Sequence, residues 1–428
     1  MSSGGSAAET PAAAPTTAVG ATNTAAGVAV LTLSPALDLT LEVGELGLGR
    51  SHRAAPAAEV LGGKGMNVAR VLASLGVPVT AHGPVNEGDW PGGSSPDKDL
   101  TDEGLPGGHG APGPVWDLTP TPSPLRRSIA VIEGSGRATL VNETAHPHPP
   151  EVWAQLQATV TAHLDDPAVR VLVVSGSTPA DCPPGLVPEL IESAHAAGVT
   201  VIVDTSGQAL LAAATAGADW VKPNDEELAE LFSCDAAATA APPAATAATD
   251  ATATAAAATD DLSRTGVRDG VARLIDAGAE HVLLSCGSDG LVLADEAGPR
   301  GRARLDEALT GNPTGAGDAA VAALAACLAG RPDPRARLGE DEVIEILTRA
   351  VAVSAAAVLM PQAGQIHPDW RALCERVHVD DLLGDHPPTG PNLRDHAPTG
   401  PNLGDHSPTH HLPGDHPPTD PERTGDRP

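Results

Sequence analysis

The sequence predicts an α/β protein in which helices cover both faces of a mostly parallel sheet. Three observations predict it. Aliphatic runs of strand length take turns with small-residue segments of helical length, the pattern of repeated βα units. Aromatic content is only 1%, with no Tyr and one Phe, so the core must come from Val, Leu, Ile and Ala. That composition suits strands buried on both faces. The glycine-rich and acidic motifs fall just after strands, where such sheets take their ligands.

In chain order, "VAVLTLS" (28–34) reads as the first strand. "TLSPALDLTLEV" (32–43) follows as a loop carrying Asp38. "MNVARVLASLG" (66–76) is a helix ended by Gly76, and 77–83 a strand. "VRVLVVSGS" (169–177) is a strand, "GLVPELIESAHAAG" (185–198) a helix and "VTVIVDTSG" (199–207) a strand. "QALLAAATAG" is helix, "ADWVKPN" strand and "GVARLIDAGA" helix. "EHVLLSCGS" and "GLVLADE" are strands, and two long helices, 316–329 and 341–358, close the folded part. Three low-complexity stretches interrupt this order. They are a disordered leader (1–27), an Ala/Thr-rich linker (234–263) and a tail (384–428) of Pro/His decapeptide repeats. The domain predicted between leader and tail spans 28–380.

A net charge of −30 excludes a role that needs basic patches for a phosphate backbone, so no nucleic-acid partner is expected. No apolar run approaches the ~18 residues that span a bilayer, and the N-terminus lacks the basic start of a secretory signal. The five cysteines are scattered, without a metal or disulfide pattern. The expectation is a cytoplasmic protein with no membrane partner.

Chemistry concentrates in a few short segments. In "NPTGAGDAAVAALAACLAG" (312–330), Gly315 and Gly317 bare the backbone just before a helix, and free N–H groups meet the helix's positive end. That makes an anion site, with Asp318 beside it either as a cap or as a catalytic group. "LGGKGMNVAR" (61–70) is a second glycine loop, where Gly62, Gly63 and Gly65 expose Lys64 to a phosphate or hydroxyl-rich ligand. It is not a P-loop, and no dinucleotide fingerprint is present. Asp38 is either a turn residue or an acceptor for sugar hydroxyls. In "KPNDEEL" (222–228), Asn224 caps a helix, or with Glu227 holds a hydrated Mg²⁺. "SCGSDG" (285–290) is either a plain hairpin or a nucleotide edge.

Taken in order, "TLSPALD", "GGKGMNVARVLASLG", "SGSTPADCPPG", "VIVDTSG", "KPNDEEL", "SCGSDG" and "NPTGAGD" resemble the PfkB (ribokinase-like) carbohydrate kinases. The 1-phosphofructokinase and tagatose-6-phosphate kinase branch is the most similar. The resemblance implies a ribokinase-like fold with a small β lid, and an ATP- and Mg²⁺-dependent transfer of phosphoryl to a sugar hydroxyl. It implies Asp318 as catalytic base and Gly315, Ala316 and Gly317 as the anion hole. Asp38, Gly62, Gly63, Lys64, Asn67 and Ser177 match the sugar side. "LRRSIAVIEGSG" (125–136) looks like the lid strand, its phosphate-reading arginine being Arg126 or Arg127. Lys222, Asn224, Ser285, Gly287 and Gly290 match the nucleotide side, and Asn224 and Glu227 the Mg²⁺ neighbourhood through water.

The implied substrate is fructose 1-phosphate, with tagatose 6-phosphate and fructose 6-phosphate as alternatives. The implied partner is a second copy joined through the lid. One span departs from the family pattern. Residues 84–124 are too rich in Gly and Pro for the helix expected there, which would uncover one side of the sheet. That departure leaves open a different class, a weakened sugar-phosphate-binding regulatory protein.

Overall fold

The computed structural model describes residues 26–54, 59–89, 113–237 and 265–381. Most of the leader, residues 90–112 of the atypical span, residues 238–264 and the repeat tail lie outside the described residues.

The strands are β1 (Gly27–Leu31), β2 (Ala36–Val43), β3 (Glu59–Gly62), β4 (Val79–Val85), β5 (Val115–Pro120), β6 (Arg126–Glu133), β7 (Ala138–Asn142), β8 (Val169–Ser175), β9 (Thr200–Asp204), β10 (Trp220–Val221), β11 (His281–Ser285), β12 (Leu291–Asp295), β13 (Gly298–Leu305) and β14 (Val377–Asp381). The helices are α1 (Lys64–Ser74), α2 (Pro150–Leu164), α3 (Leu186–Ala196), α4 (Gly207–Thr215), α5 (Asp225–Ala237), α6 (Thr265–Ala277), α7 (Ala316–Ala329), α8 (Glu340–Val358) and α9 (Trp370–Cys374).

The main sheet runs β14-β13-β12-β11-β10-β9-β8-β1-β4-β5. It is parallel from β5 to β11, and β12, β13 and β14 add antiparallel. Strand periodicity sorts the core. In β8, Val171 and Val173 pack towards α1, α7 and α8, while Leu172 and Val174 pack towards α2 to α6. Each face is thereby an aliphatic layer, as the composition requires. No described helix is long and apolar enough to cross a membrane.

α7 runs between the sheet and its neighbours α1 and α8, and every residue from Asp318 to Ala329 is buried. Alanine at most of those positions lets neighbouring helices approach closely. A second sheet, β3-β2-β6-β7, forms the lid.

Three expectations change. Asp38 lies in lid strand β2, not in a loop: from Leu37 to Val43 apolar and polar residues alternate, and the strand pairs with β3 and β6. The folded part does not close on α8, because α9 and β14 follow, and β14 completes the sheet edge against β13. α5 also runs on to Ala237, a few residues into the predicted linker. In the atypical span, the described residues show a short 3₁₀ turn at Glu87–Asp89 and then β5, an edge strand parallel to β4. Trp116 and Leu118 of β5 pack against the core on the α1 side.

Candidate active site

The carboxyl ends of β8, β9, β10 and β11, the start of α7 and the lid border a cleft of about 1500 Å³. Gly315 turns the chain into α7 with φ +86°, and a Cβ there would sit 2.9 Å from that of Ala363. The position therefore accepts only glycine without strain. Past this turn, the Gly317 and Asp318 N–H groups have no acceptor among the described residues. They are the orphan donors expected at a helix start.

Asp318 is buried, and its Oδ2 accepts a hydrogen bond from Asn67 Nδ2 at 2.9 Å. Burial and the nearby Asp204 carboxylate push its pKa up to about 6, against the pull of Lys64, Asn67 and Lys222. At neutral pH it remains mostly ionised and able to take a proton. Asp204 ends β9, fully buried. Its Oδ1 lies 3.5 Å from Lys64 Nζ and 3.4 Å from Lys222 Nζ, and Ser175 Oγ donates to Oδ2 at 3.1 Å. Burial alone would raise the Asp204 pKa, but the Lys222 and Lys64 ammonium groups outweigh it and hold the carboxyl low. Asp204 in turn holds the Lys64 ammonium above its ordinary pKa, so Lys64 stays charged.

On the lid side, burial raises the Asp38 pKa, while Arg70, the Gly63 N–H, Arg126 and Ser128 pull it back. Gly62 pairs with Ala36 of β2, diagonal to Asp38 on the same face, and a Cβ there would come within 2.0 Å of the Asp38 carboxyl. Arg126 donates from Nε to Ser34 Oγ at 2.8 Å and from Nη2 to Ser34 O at 3.3 Å. Alternation along β6 puts Arg126 and Ser128 on the cleft and leaves Arg127 exposed, so geometry separates the two arginines. The lid tip at Gly136 leans on Thr310 and Gly311.

Of the predicted site residues, all but Gly62 and Glu227 line this cleft. Glu227 is tied into a capping box. Asn224 Oδ1 accepts from the Glu227 N–H at 2.6 Å, and Glu227 Oε2 accepts from the Asn224 N–H at 3.0 Å. Its other oxygen, Oε1, faces Lys64 Nζ at 3.4 Å. Among the described residues no group of three or more His, Cys, Asp or Glu could hold a metal ion. The oxygen donors of Asn224 and Glu227 suit a hydrated Mg²⁺ carried by nucleotide phosphates, which would meet them through water. Sequence reasoning missed Asp204, Ser175 and Arg70. The signal for Asp204 was present in "VIVD", a buried strand that ends in an acid where ligands sit.

A two-faced parallel sheet with a β lid above its carboxyl ends is the ribokinase-like architecture. Within it, the chain belongs to the pfkB family of carbohydrate kinases, whose pattern matches residues 129–370. Its fold is similar to that of phosphofructokinase-2 from Escherichia coli solved with fructose-6-phosphate, at TM-score 0.60 and 24% identity over 82% of this chain and 98% of that one. A possible 1-phosphofructokinase from Thermotoga maritima matches at TM-score 0.58 and 18% identity, over 83% of this chain and 99% of that one. Arabidopsis thaliana ribokinase, solved with ribose and ATP, matches at TM-score 0.54 and 18% identity, over 82% and 99%. The family makes this protein a sugar kinase. Asp38, Lys64 and Asn67 lie before the matched residues and reach the cleft from the N-terminal part.

Proposed function

We propose that the chain transfers the terminal phosphoryl group of ATP to a hydroxyl of a phosphosugar, fructose 1-phosphate, giving the 1,6-bisphosphate. The observation that carries this reading is Asp318, a buried carboxylate that is ionisable near pH 6, set beside unpaired N–H groups at the mouth of α7. A base and an anion site belong together in phosphoryl transfer, where positioning and charge stabilisation do most of the work. Asp318 accepts the hydroxyl proton as the sugar oxygen bonds to phosphorus. The bond to the bridging oxygen breaks, and ADP leaves with that oxygen.

The N–H groups of Gly317 and Asp318 take up charge on the moving phosphoryl, and Lys222 and Lys64 add positive charge around Asp204. Asp38 accepts from sugar hydroxyls, and Arg126 at the lid holds the phosphate the substrate already carries. Ser285, Gly287 and Gly290 form the nucleotide edge. ATP brings the phosphoryl group together with its Mg²⁺. The choice of a phosphosugar over ribose or a nucleoside rests on the "TLSPALD" and "GGKGMNVAR" stretches, and fructose 1-phosphate is the substrate that the family resemblance implies.

The test is ATP consumption with fructose 1-phosphate, fructose 6-phosphate and tagatose 6-phosphate, wild type against Asp318→Asn. Turnover on fructose 1-phosphate that falls by about 10³-fold or more in the variant, with ATP binding kept, supports the reading. Preference for another sugar overturns the substrate. Binding without turnover by the wild type makes the protein a regulatory binder.

A further inference from the structure

Arg70 is a buried cation that the catalytic reading leaves without a task. Its Nη1 donates to Asn67 Oδ1 at 3.5 Å, its Nη2 donates to the Leu61 carbonyl, and Asp38 is its charge partner. Trp116 of β5 covers it, with the guanidinium carbon 5.4 Å from the ring centroid. Gly364 also approaches the pair closely, since a Cβ there would sit 3.3 Å from Arg70 Cδ and 3.1 Å from Asn67 Oδ1.

An asparagine amide can turn over, exchanging its oxygen for its NH₂. A guanidinium only donates, so Arg70 holds the Asn67 oxygen to itself and turns the Asn67 NH₂ towards Asp318. We infer that Arg70, clamped by Trp116 from the atypical span, is a positioning residue that sets the Asn67 amide and through it the catalytic carboxylate. The same guanidinium supports Asp38 by charge. Arg70 thereby links the sugar end of the cleft to the base, and a segment that departs from the family pattern supplies its cover.

This rests on Asp318 acting as the base, and the experiment keeps the two apart. The readout is the acid limb of kcat/KM against pH, which reports the free enzyme's base. The groups facing Asp318 are Asp204, Lys64, Lys222 and Asn67, and only the Asn67 bond depends on Arg70. Arg70→Met is expected to move the acid limb up by about one pH unit, the scale of a lost hydrogen bond to a charged group, and to raise KM for the sugar. Arg70→Lys keeps the charge but not the fork. It is expected to shift the limb in the same direction while leaving the sugar KM near wild type. KM for ATP stays constant in both.

In an Asn67→Ala background, Arg70→Lys shifts the limb no further. A wild-type limb in Arg70→Lys overturns the inference, as does an equal shift in the Asn67→Ala background. Arg70→Lys decides the matter even where Arg70→Met does not fold. If Asp318→Asn keeps its turnover, the base reading fails instead.

Discussion

Asp318, in the role proposed for it, sets a cost in stability against function. Its folded pKa of about 6 lies above its ordinary value, so the folded state disfavours its ionised form. That penalty is absent below the unfolded pKa, grows as pH rises through the window between the two values, and is complete above pH 6. Asp318→Asn removes it. The variant is expected to melt several degrees higher than wild type at pH 8, from up to about 3 kcal/mol of relief. The difference should shrink towards pH 4, and calorimetry across that range checks it. Catalysis runs the other way, since only the carboxylate accepts a proton. Wild-type kcat/KM is expected to fall about tenfold per pH unit below pH 6, readable from initial rates. A flat profile down to pH 5 would contradict the assignment.

At the scale of elements, lid strands β2 and β3 show why register matters. Their pairing sets Ala36 against Gly62 and Asp38 against Val60, which brings the Asp38 carboxyl over the bare Gly62 backbone. In Gly62→Ala the new methyl meets only the end of a side chain, so Asp38 swings away rather than the strand breaking. The expected outcome is a KM for the sugar raised at least tenfold, with KM for ATP unchanged and melting temperature lowered only slightly. Steady-state kinetics with each substrate varied in turn measures the split. The alternation in "ALDLTLEV" was readable as a strand, and treating it as a loop lost the lid's first strand. The starts of α1 and α7 were legible because glycine and small residues punctuate the chain so sharply there. The capping box at Asn224 and Glu227 was also legible from its i, i+3 spacing, and both of its hydrogen bonds form.

Across the whole molecule, Asp204 joins parts far apart in the chain: Lys64 from α1, Lys222 ahead of α5 and Ser175 from β8. Removing it leaves the buried Lys222 ammonium without its carboxylate, with the partly exposed Lys64 close by. Asp204→Ala is expected to cost about 3–5 kcal/mol of stability, the range for one partner lost from a buried pair. It should raise KM for sugar and nucleotide together, if the two lysines that line the cleft act on the sugar and nucleotide sides as proposed. Denaturant unfolding with parallel kinetics tests both effects. A stable variant with normal kinetics would mean that the cluster contributes little.

The amino-acid order alone determined the α/β class, most of the core helices and strands, and the glycine loops at which ligands arrive. Those features are local, because backbone freedom, aliphatic periodicity and helix starts are properties of a few consecutive residues. Tertiary structure decided which residues meet. Asp204, Arg70 and Ser175 gain contacts from neighbours tens to hundreds of positions away, and strand alternation on the folded lid puts Arg126 on the cleft and leaves Arg127 exposed. The pKa of Asp318 is likewise set by burial and by charges on other elements, which no short window of sequence contains.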